Sequence, residues 1–237
     1  MNTNCGCFRL VQLILLAGCA AKASTVIDTV PAWDGVSSIQ AFGSSATPTF
    51  GNTVTVPLRD SILQSFSFEI NLPSSITFAG YVYAWDSLPP NIDGSGGTTA
   101  TGARLFQSAP THTAGTGAFE LITFVTYGLP LIPGAQYVLF ASTSEFSNSP
   151  GSGLWGAQAY FTPDWYSGGA FVFNNNNDSS LWTTSYPTGG WVGSFIPNGG
   201  DLAFRAEFSS VPEPGTGLGA LGALLCAVLS LRRERVR

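Results

Sequence analysis

Residues 61–70 read Ser-Ile-Leu-Gln-Ser-Phe-Ser-Phe-Glu-Ile, in which apolar and polar side chains alternate. A period of two places alternate residues on opposite faces of a strand, so the stretch predicts a half-buried β-strand. The predicted core face comprises Ile62, Phe66, Phe68 and Ile70, and the predicted outer face Ser61, Leu63, Ser65, Ser67 and Glu69.

Further strands follow on both sides of this one. Residues 78–85, 119–126, 136–142 and 170–173 are apolar on both faces, which predicts central strands of a two-layer stack. Residues 201–208 alternate again and predict a closing strand, with Leu202, Phe204, Ala206 and Phe208 inward and Ala203, Arg205 and Glu207 outward. Many short strands joined by Gly- and Pro-rich turns predict an all-β fold, an antiparallel jelly-roll-like sandwich of residues 24–210.

The composition limits the partners of this domain. Charged residues make up 10% of the chain, against about 25% in typical soluble proteins. Residues 24–210 contain three arginines, no lysine and twelve acids, a net charge of 3 − 12 = −9. An acidic surface argues against nucleic acid as a partner. All four cysteines, Cys5, Cys7, Cys19 and Cys226, lie outside the domain, so it has no disulfide and no thiol chemistry.

Residues 1–23 have the pattern of a signal peptide. Arg9 precedes an apolar run over 10–17, and Ala21-Lys22-Ala23 predicts cleavage between Ala23 and Ser24 after export by the Sec machinery. Residues 16–19, Leu-Ala-Gly-Cys, also resemble a lipobox, which would place cleavage before Cys19 and a lipid on its sulfur. Both alternatives remain open.

The last 27 residues combine three features in order. Val211-Pro212-Glu213-Pro214 comes first, followed by the uncharged segment 215–231 and then by Arg232, Arg233, Arg235 and Arg237. A helix over 215–231 would be about 25 Å long, enough to span a bilayer core. Because arginines are costly in the core and favour the cytoplasmic side, the segment predicts a single transmembrane helix with a cytoplasmic C-terminus.

These three features resemble the PEP-CTERM sorting signal of Gram-negative bacteria. The resemblance implies an exosortase substrate: export, an inner-membrane-anchored precursor, removal of residues 211–237, and delivery to the cell surface or the exopolysaccharide matrix. An ordinary C-terminal membrane anchor is the alternative. Residues 78–86, 104–106 and 131–140 also loosely resemble the ectodomains of other PEP-CTERM proteins, a likeness that implies no binding residues.

Aromatic residues are concentrated between 155 and 195. Sugar rings stack on flat aromatic side chains, and Trp165 and Trp182 are the best candidates for exposed platforms because each stands beside turn residues. The alternative is that these rings fill the core, as large aromatics usually do.

Other chemistry is less well supported by the sequence. His112, the single histidine, lies in a predicted polar loop without a Gly-x-Ser-x-Gly turn. Glu69, Glu120 and Glu207 fall at predicted outward positions of strands, and residues 91–95 resemble part of a calcium loop but lack its bidentate glutamate. We therefore expect no catalytic residue, metal or cofactor, and a structural or adhesive surface protein. A carbohydrate-binding module is the first alternative, and a secreted glycosidase or esterase the second.

Overall fold

The computed structural model of the protein describes residues 24–86, 99–146, 153–159, 163–184, 190–193 and 200–210. The leader, Cys19, the 91–95 fragment, the sorting motif, the apolar segment and the basic tail lie outside these residues. The described part of the chain is all-β, as predicted, and apart from strands it contains only two short 3-10 helices, Val30–Ala32 and Ser179–Thr183. The strands are β1 Ser24–Asp28, β2 Ser38–Phe42, β3 Thr49–Thr55, β4 Ile62–Asn71, β5 Ile76–Trp85, β6 Ala100–Gln107, β7 Thr111–Thr113, β8 Phe119–Pro130, β9 Gln136–Ser142, β10 Gly153–Gly156, β11 Phe171–Asn174, β12 Val192–Gly193 and β13 Phe204–Ser209.

The strands form two antiparallel sheets. Sheet I has the order β1-β13-β4-β10-β2, in which β13 and β10 pair with successive parts of the same edge of β4. Strand β8 pairs with the opposite edge of β4. Sheet II has the order β12-β11-β3-β9-β5-β6, with β7 also paired to β5. The pairs β2·β10, β3·β9, β4·β8 and β5·β6 are nested in the sequence and alternate between the two sheets. The segment that contains β2 to β5 therefore folds back on the segment that contains β6 to β10.

Aromatic side chains from both sheets fill the space between them. Phe50 of sheet II packs against Trp155 of sheet I, with 5.6 Å between ring centroids. Phe78 of sheet II packs in the same way against Phe42 of sheet I at 5.6 Å. All four rings are buried. Rings of this size bury large apolar areas, so this shared core is what holds the two layers together.

The alternation of residues 61–70 changes phase at Gln64. Leu63 is paired with Phe208 of β13 and Ser65 with the adjacent Glu207, so Gln64 is an extra residue of β4 that forms a β-bulge. One extra residue reverses which side chains face the core. Leu63 is consequently buried and Ile62 only partly so, which corrects the predicted faces at these two positions.

The strands predicted to be buried on both faces behave in two ways. β5, β9 and β11 are buried on both faces, because a second apolar cluster covers the outer face of sheet II. β8 differs from the prediction for residues 119–126: Leu121 and Val125 are exposed, since β8 is an edge strand with an open outer face. Ala203, predicted outward, is buried close to Gly156 of β10.

Candidate functional site: a half-buried tryptophan above a buried carboxylate

The tryptophans of the aromatic segment have three different environments. Trp155 lies in the core between the sheets. Trp182 and Trp191 lie on the outer face of sheet II, where both contact Phe140 at 4.9 and 5.0 Å between ring centroids. Trp165 is half-buried in the loop before β11.

Trp182 is 1% exposed, so the prediction that it is an exposed platform is wrong. It belongs to the 3-10 helix Ser179–Thr183, whose first turn is capped by the Asp178 carboxylate accepting from the Ser180 N–H at 2.9 Å. This helix places the Trp182 indole edge-on against the Tyr81 ring, with 4.8 Å between ring centroids. The turn residues before Trp182 thus start a short helix that packs on the outer face of sheet II.

Trp165 is held in place by its neighbour Tyr166. The Tyr166 hydroxyl donates to the Thr55 carbonyl at 3.2 Å and accepts from the Thr55 N–H at 3.1 Å. The Thr55 hydroxyl donates to the Gly168 carbonyl at 2.7 Å. A Cβ on Gly169 would lie 1.7 Å from the Thr53 carbonyl oxygen, so the loop touches β3 backbone to backbone. The indole of Trp165 is therefore presented by a loop that is fixed to the sheet.

The buried carboxylate of Asp201 accepts a hydrogen bond from the same loop. Its Oδ2 accepts from the Tyr166 N–H at 2.8 Å, and its Oδ1 accepts from the Asn52 side-chain amide at 3.0 Å. The Asp201 N–H in turn donates to Oε1 of the buried Gln158 at 3.2 Å. Burial raises the pKa of Asp201 to about 7, and a hydrogen bond from the protonated Asp201 to the nearby Asp164 carboxylate adds to this increase. Asp201 thus holds a proton at pH values where an ordinary aspartate is ionised.

Asp164 and Trp165 form the accessible part of this arrangement. Asp164 is exposed, and its Oδ1 accepts from the Tyr166 N–H at 3.2 Å, which orients the carboxylate beside the loop. An accessible aromatic ring is suited to the apolar face of a sugar, and an exposed carboxylate is suited to its hydroxyls. The sequence indicated Trp165 but not the Asn52, Gln158 and Asp201 network, whose members are separated by up to 149 residues.

His112 lies on strand β7 rather than in a loop, and it is exposed as expected. Its Nε2 lies 3.1 Å from the Ser75 hydroxyl, and its Nδ1 lies 3.0 Å from the Thr77 hydroxyl. A Ser-His-Asp triad requires a carboxylate on the second ring nitrogen. In the described ranges a threonine hydroxyl occupies that position, so the geometry does not assemble a triad.

The three glutamates singled out from the sequence do not share a cleft. Glu69 is half-buried on the outer face of sheet I, and burial raises its pKa. Glu120, at the end of β8, is paired with Ile70 and is exposed, as expected for a surface carboxylate. Glu207 binds Arg205 at 2.8 Å on the outer face. Glycoside hydrolysis needs two carboxylates that flank one bond, and these three are not arranged in that way.

No group of three or more His, Cys, Asp or Glu side chains in the described ranges is placed to hold a metal ion. None of the helices in those ranges has the length and apolar character to span a membrane. No protein-family model, curated protein or solved structure matches the chain.

Proposed function

We propose that the chain is an exported protein of the cell surface or extracellular matrix, sorted by an exosortase and non-enzymatic in its role. The observation that carries this proposal is the order of Val211-Pro212-Glu213-Pro214, the uncharged segment 215–231 and the four terminal arginines. Its partners would be the Sec machinery, the exosortase and, before processing, the membrane. In the exopolysaccharide layer its role would be structural or adhesive.

The limits of the folded domain support this organisation. β13 ends at Ser209, two residues before Val211. Ser24 is paired with Ser209, so the chain enters and leaves the domain side by side. A leader and a tail attached there would both be removed or anchored at the same end of the domain.

The nested pairs β2·β10, β3·β9, β4·β8 and β5·β6 support a more specific description of the fold. In a jelly roll, a long hairpin folds over so that successive nested pairs fall alternately in two four-stranded sheets. Here β2, β10, β4 and β8 would be one such sheet and β3, β9, β5 and β6 the other. We propose a jelly-roll sandwich extended by β1, β7, β11, β12 and β13.

Mass spectrometry of the full chain expressed in a bacterium with an exosortase tests the sorting proposal. We expect surface-extracted protein to lack residues 211–237, and a Glu213→Ala variant to accumulate in the inner membrane with its tail intact. Glu207→Ala, a matched change in β13, should be processed normally. Surface protein that retains segment 215–231 would contradict the proposal.

Carbohydrate binding is the second candidate, favoured by the fixed, half-exposed Trp165 beside Asp164. The expected ligand class is the exopolysaccharide itself. In a pull-down on purified polysaccharide, Trp165→Ala should abolish retention of the full chain. Tyr127→Ala, which removes an exposed ring on the opposite sheet, should leave retention unchanged. Equal retention of both variants would exclude Trp165 as the binding residue.

A further inference from the structure

Strand β8 has one edge without a partner in the described part of the chain. β8 is paired with β4 over the whole of 119–125. On the other side of β4, the Glu69 N–H donates to the Ala203 carbonyl at 3.0 Å. Since backbone groups alternate in direction along an antiparallel strand, the residues bonded to β4 are Glu120, Ile122 and Phe124. The N–H and C=O groups of Leu121, Thr123 and Val125 therefore point to the open edge.

The side chains along this edge do not protect it from pairing with another strand. Proteins usually block an open edge with lysine, an inward charge, a proline or a bulge. Residues 119–125 read Phe-Glu-Leu-Ile-Thr-Phe-Val and contain a single charge, at Glu120. Leu121 and Val125 are 43% and 48% exposed on the outer face. By contrast β6, the outer strand of sheet II, carries Arg104 and a glycine of positive φ at 102.

We propose that residues 121–125 pair with the same segment of a second copy of this chain, antiparallel about a two-fold axis at Thr123. In this register Leu121 of one copy lies opposite Val125 of the other, so the two exposed apolar side chains cover each other. Glu120 lies opposite Thr126 of the second copy, and no like charges meet. The two copies of sheet I become one continuous sheet, the self-complementary arrangement that a two-fold dimer requires.

The bulge in β8 limits the pairing to this segment. Tyr127 and Gly128 both have positive φ, at 57° and 89°, so the strand leaves regular geometry after Thr126. Within 121–125, three residues on each copy present backbone groups to the other, and the match of Leu121 with Val125 selects one register. The proposal does not depend on sorting by an exosortase.

Cysteine crosslinking of the full chain tests the register directly. Residues 24–210 contain no cysteine, so Thr123→Cys adds the single thiol of the domain. Two copies paired about Thr123 bring these thiols into opposition at a Cα separation that a disulfide can span. We expect mild oxidation to convert most of this variant to a reducible dimer. The wild type, which shows the background from the leader and tail cysteines, and Ala103→Cys on the edge of sheet II should both remain monomeric on the gel.

Sedimentation of the full chain in detergent provides the second measurement. Wild type should dimerise, and Val125→Lys should weaken self-association at least tenfold, because a lysine would be placed in the paired edge. Ile132→Lys, a matched change of an exposed apolar residue in a loop, should have no effect. A monomeric wild type, a Val125→Lys protein that still dimerises, or a Thr123→Cys chain that crosslinks only to a different protein would overturn the proposal.

Discussion

Phe124 of sheet I packs directly on the backbone of Gly80 of sheet II: a Cβ on Gly80 would lie 2.4 Å from Cγ of Phe124. The Phe124 ring also packs against Phe66 of its own sheet and Phe78 of the other, with 5.0 and 6.2 Å between ring centroids. The missing side chain of Gly80 thus makes the room for a ring between the two layers. This contact links the edge strand β8 to the central strand β5.

Gly80→Ala should destabilise the domain by about 1–3 kcal/mol, the usual cost of overpacking a core. Its Cβ meets the middle of an aromatic ring rather than the end of a flexible chain. Urea unfolding followed by tryptophan fluorescence measures the change. Phe124→Leu removes part of the ring, so the double variant should lose less stability than the sum of the two single changes. Additive losses would show that the two residues do not compete for the same space.

Stability should fall as the pH rises from about 4 to 7, because of Asp201. Its pKa is raised to about 7 in the folded domain, so the folded state binds a proton that the unfolded state has already lost in this range. Stability decreases with pH wherever the folded state binds more protons. Thermal unfolding across this pH range should show a declining midpoint.

Asp201→Asn supplies the control for this pH dependence. The variant cannot ionise, so its midpoint should change less between pH 4 and 7. It should also be less stable overall by about 1–3 kcal/mol, because its amide can replace only one of the two acceptors that Asp201 offers to Asn52 and Tyr166. A wild type and a variant with parallel pH profiles would contradict the assignment.

Trp182 and Trp165 should differ sharply in their contribution to stability. Trp182→Ala removes a buried ring from Tyr81 and Phe140 and should cost about 3–5 kcal/mol. Trp165→Ala removes a half-exposed ring and should cost about 1 kcal/mol or less. Denaturant unfolding of both variants measures the difference, and equal losses would mean that Trp165 is as deeply packed as Trp182.

Tyr127→Gly should stabilise the domain by about 0.5–1 kcal/mol. Tyr127 is the one non-glycine residue with positive φ in the described ranges, at 57°, and its side chain is 90% exposed. Glycine relieves this left-handed backbone at little cost in contacts. Tyr127→Val should destabilise, since a β-branched side chain tolerates positive φ poorly.

Val125→Gly supplies the comparison on the same strand. Val125 has ordinary strand geometry, so glycine there should lower stability by about 0.5–1 kcal/mol or more. Chemical unfolding of the three variants should therefore give changes of opposite sign for glycine at 127 and at 125. A loss of stability on Tyr127→Gly would show that the exposed ring contributes more than its backbone costs.

The strands themselves were predictable from local pattern. The two-residue period of 61–70 and 201–208 located β4 and β13, and the continuous apolar runs located β5, β9 and β11 as strands buried on both faces. These predictions succeeded because hydrophobic periodicity is a property of neighbouring residues. The bulge at Gln64 was not predictable, because nothing in the local sequence requires the extra residue that buries Leu63 and leaves Ile62 only partly buried.

The candidate site, too, was predictable only in part. The sequence by itself identified Trp165 and Trp182 as a pair of equivalent candidates, along with the charge-poor, cysteine-free domain between its two terminal segments. Only the tertiary structure distinguished the two, because Trp182 packs on sheet II and is buried, whereas the loop that carries Trp165 lies at the surface. It also brought Asn52 to Asp201 and left the edge of β8 open. Burial and strand order depend on which distant segments meet, and that is decided by packing of the whole chain rather than by the residues next to each position.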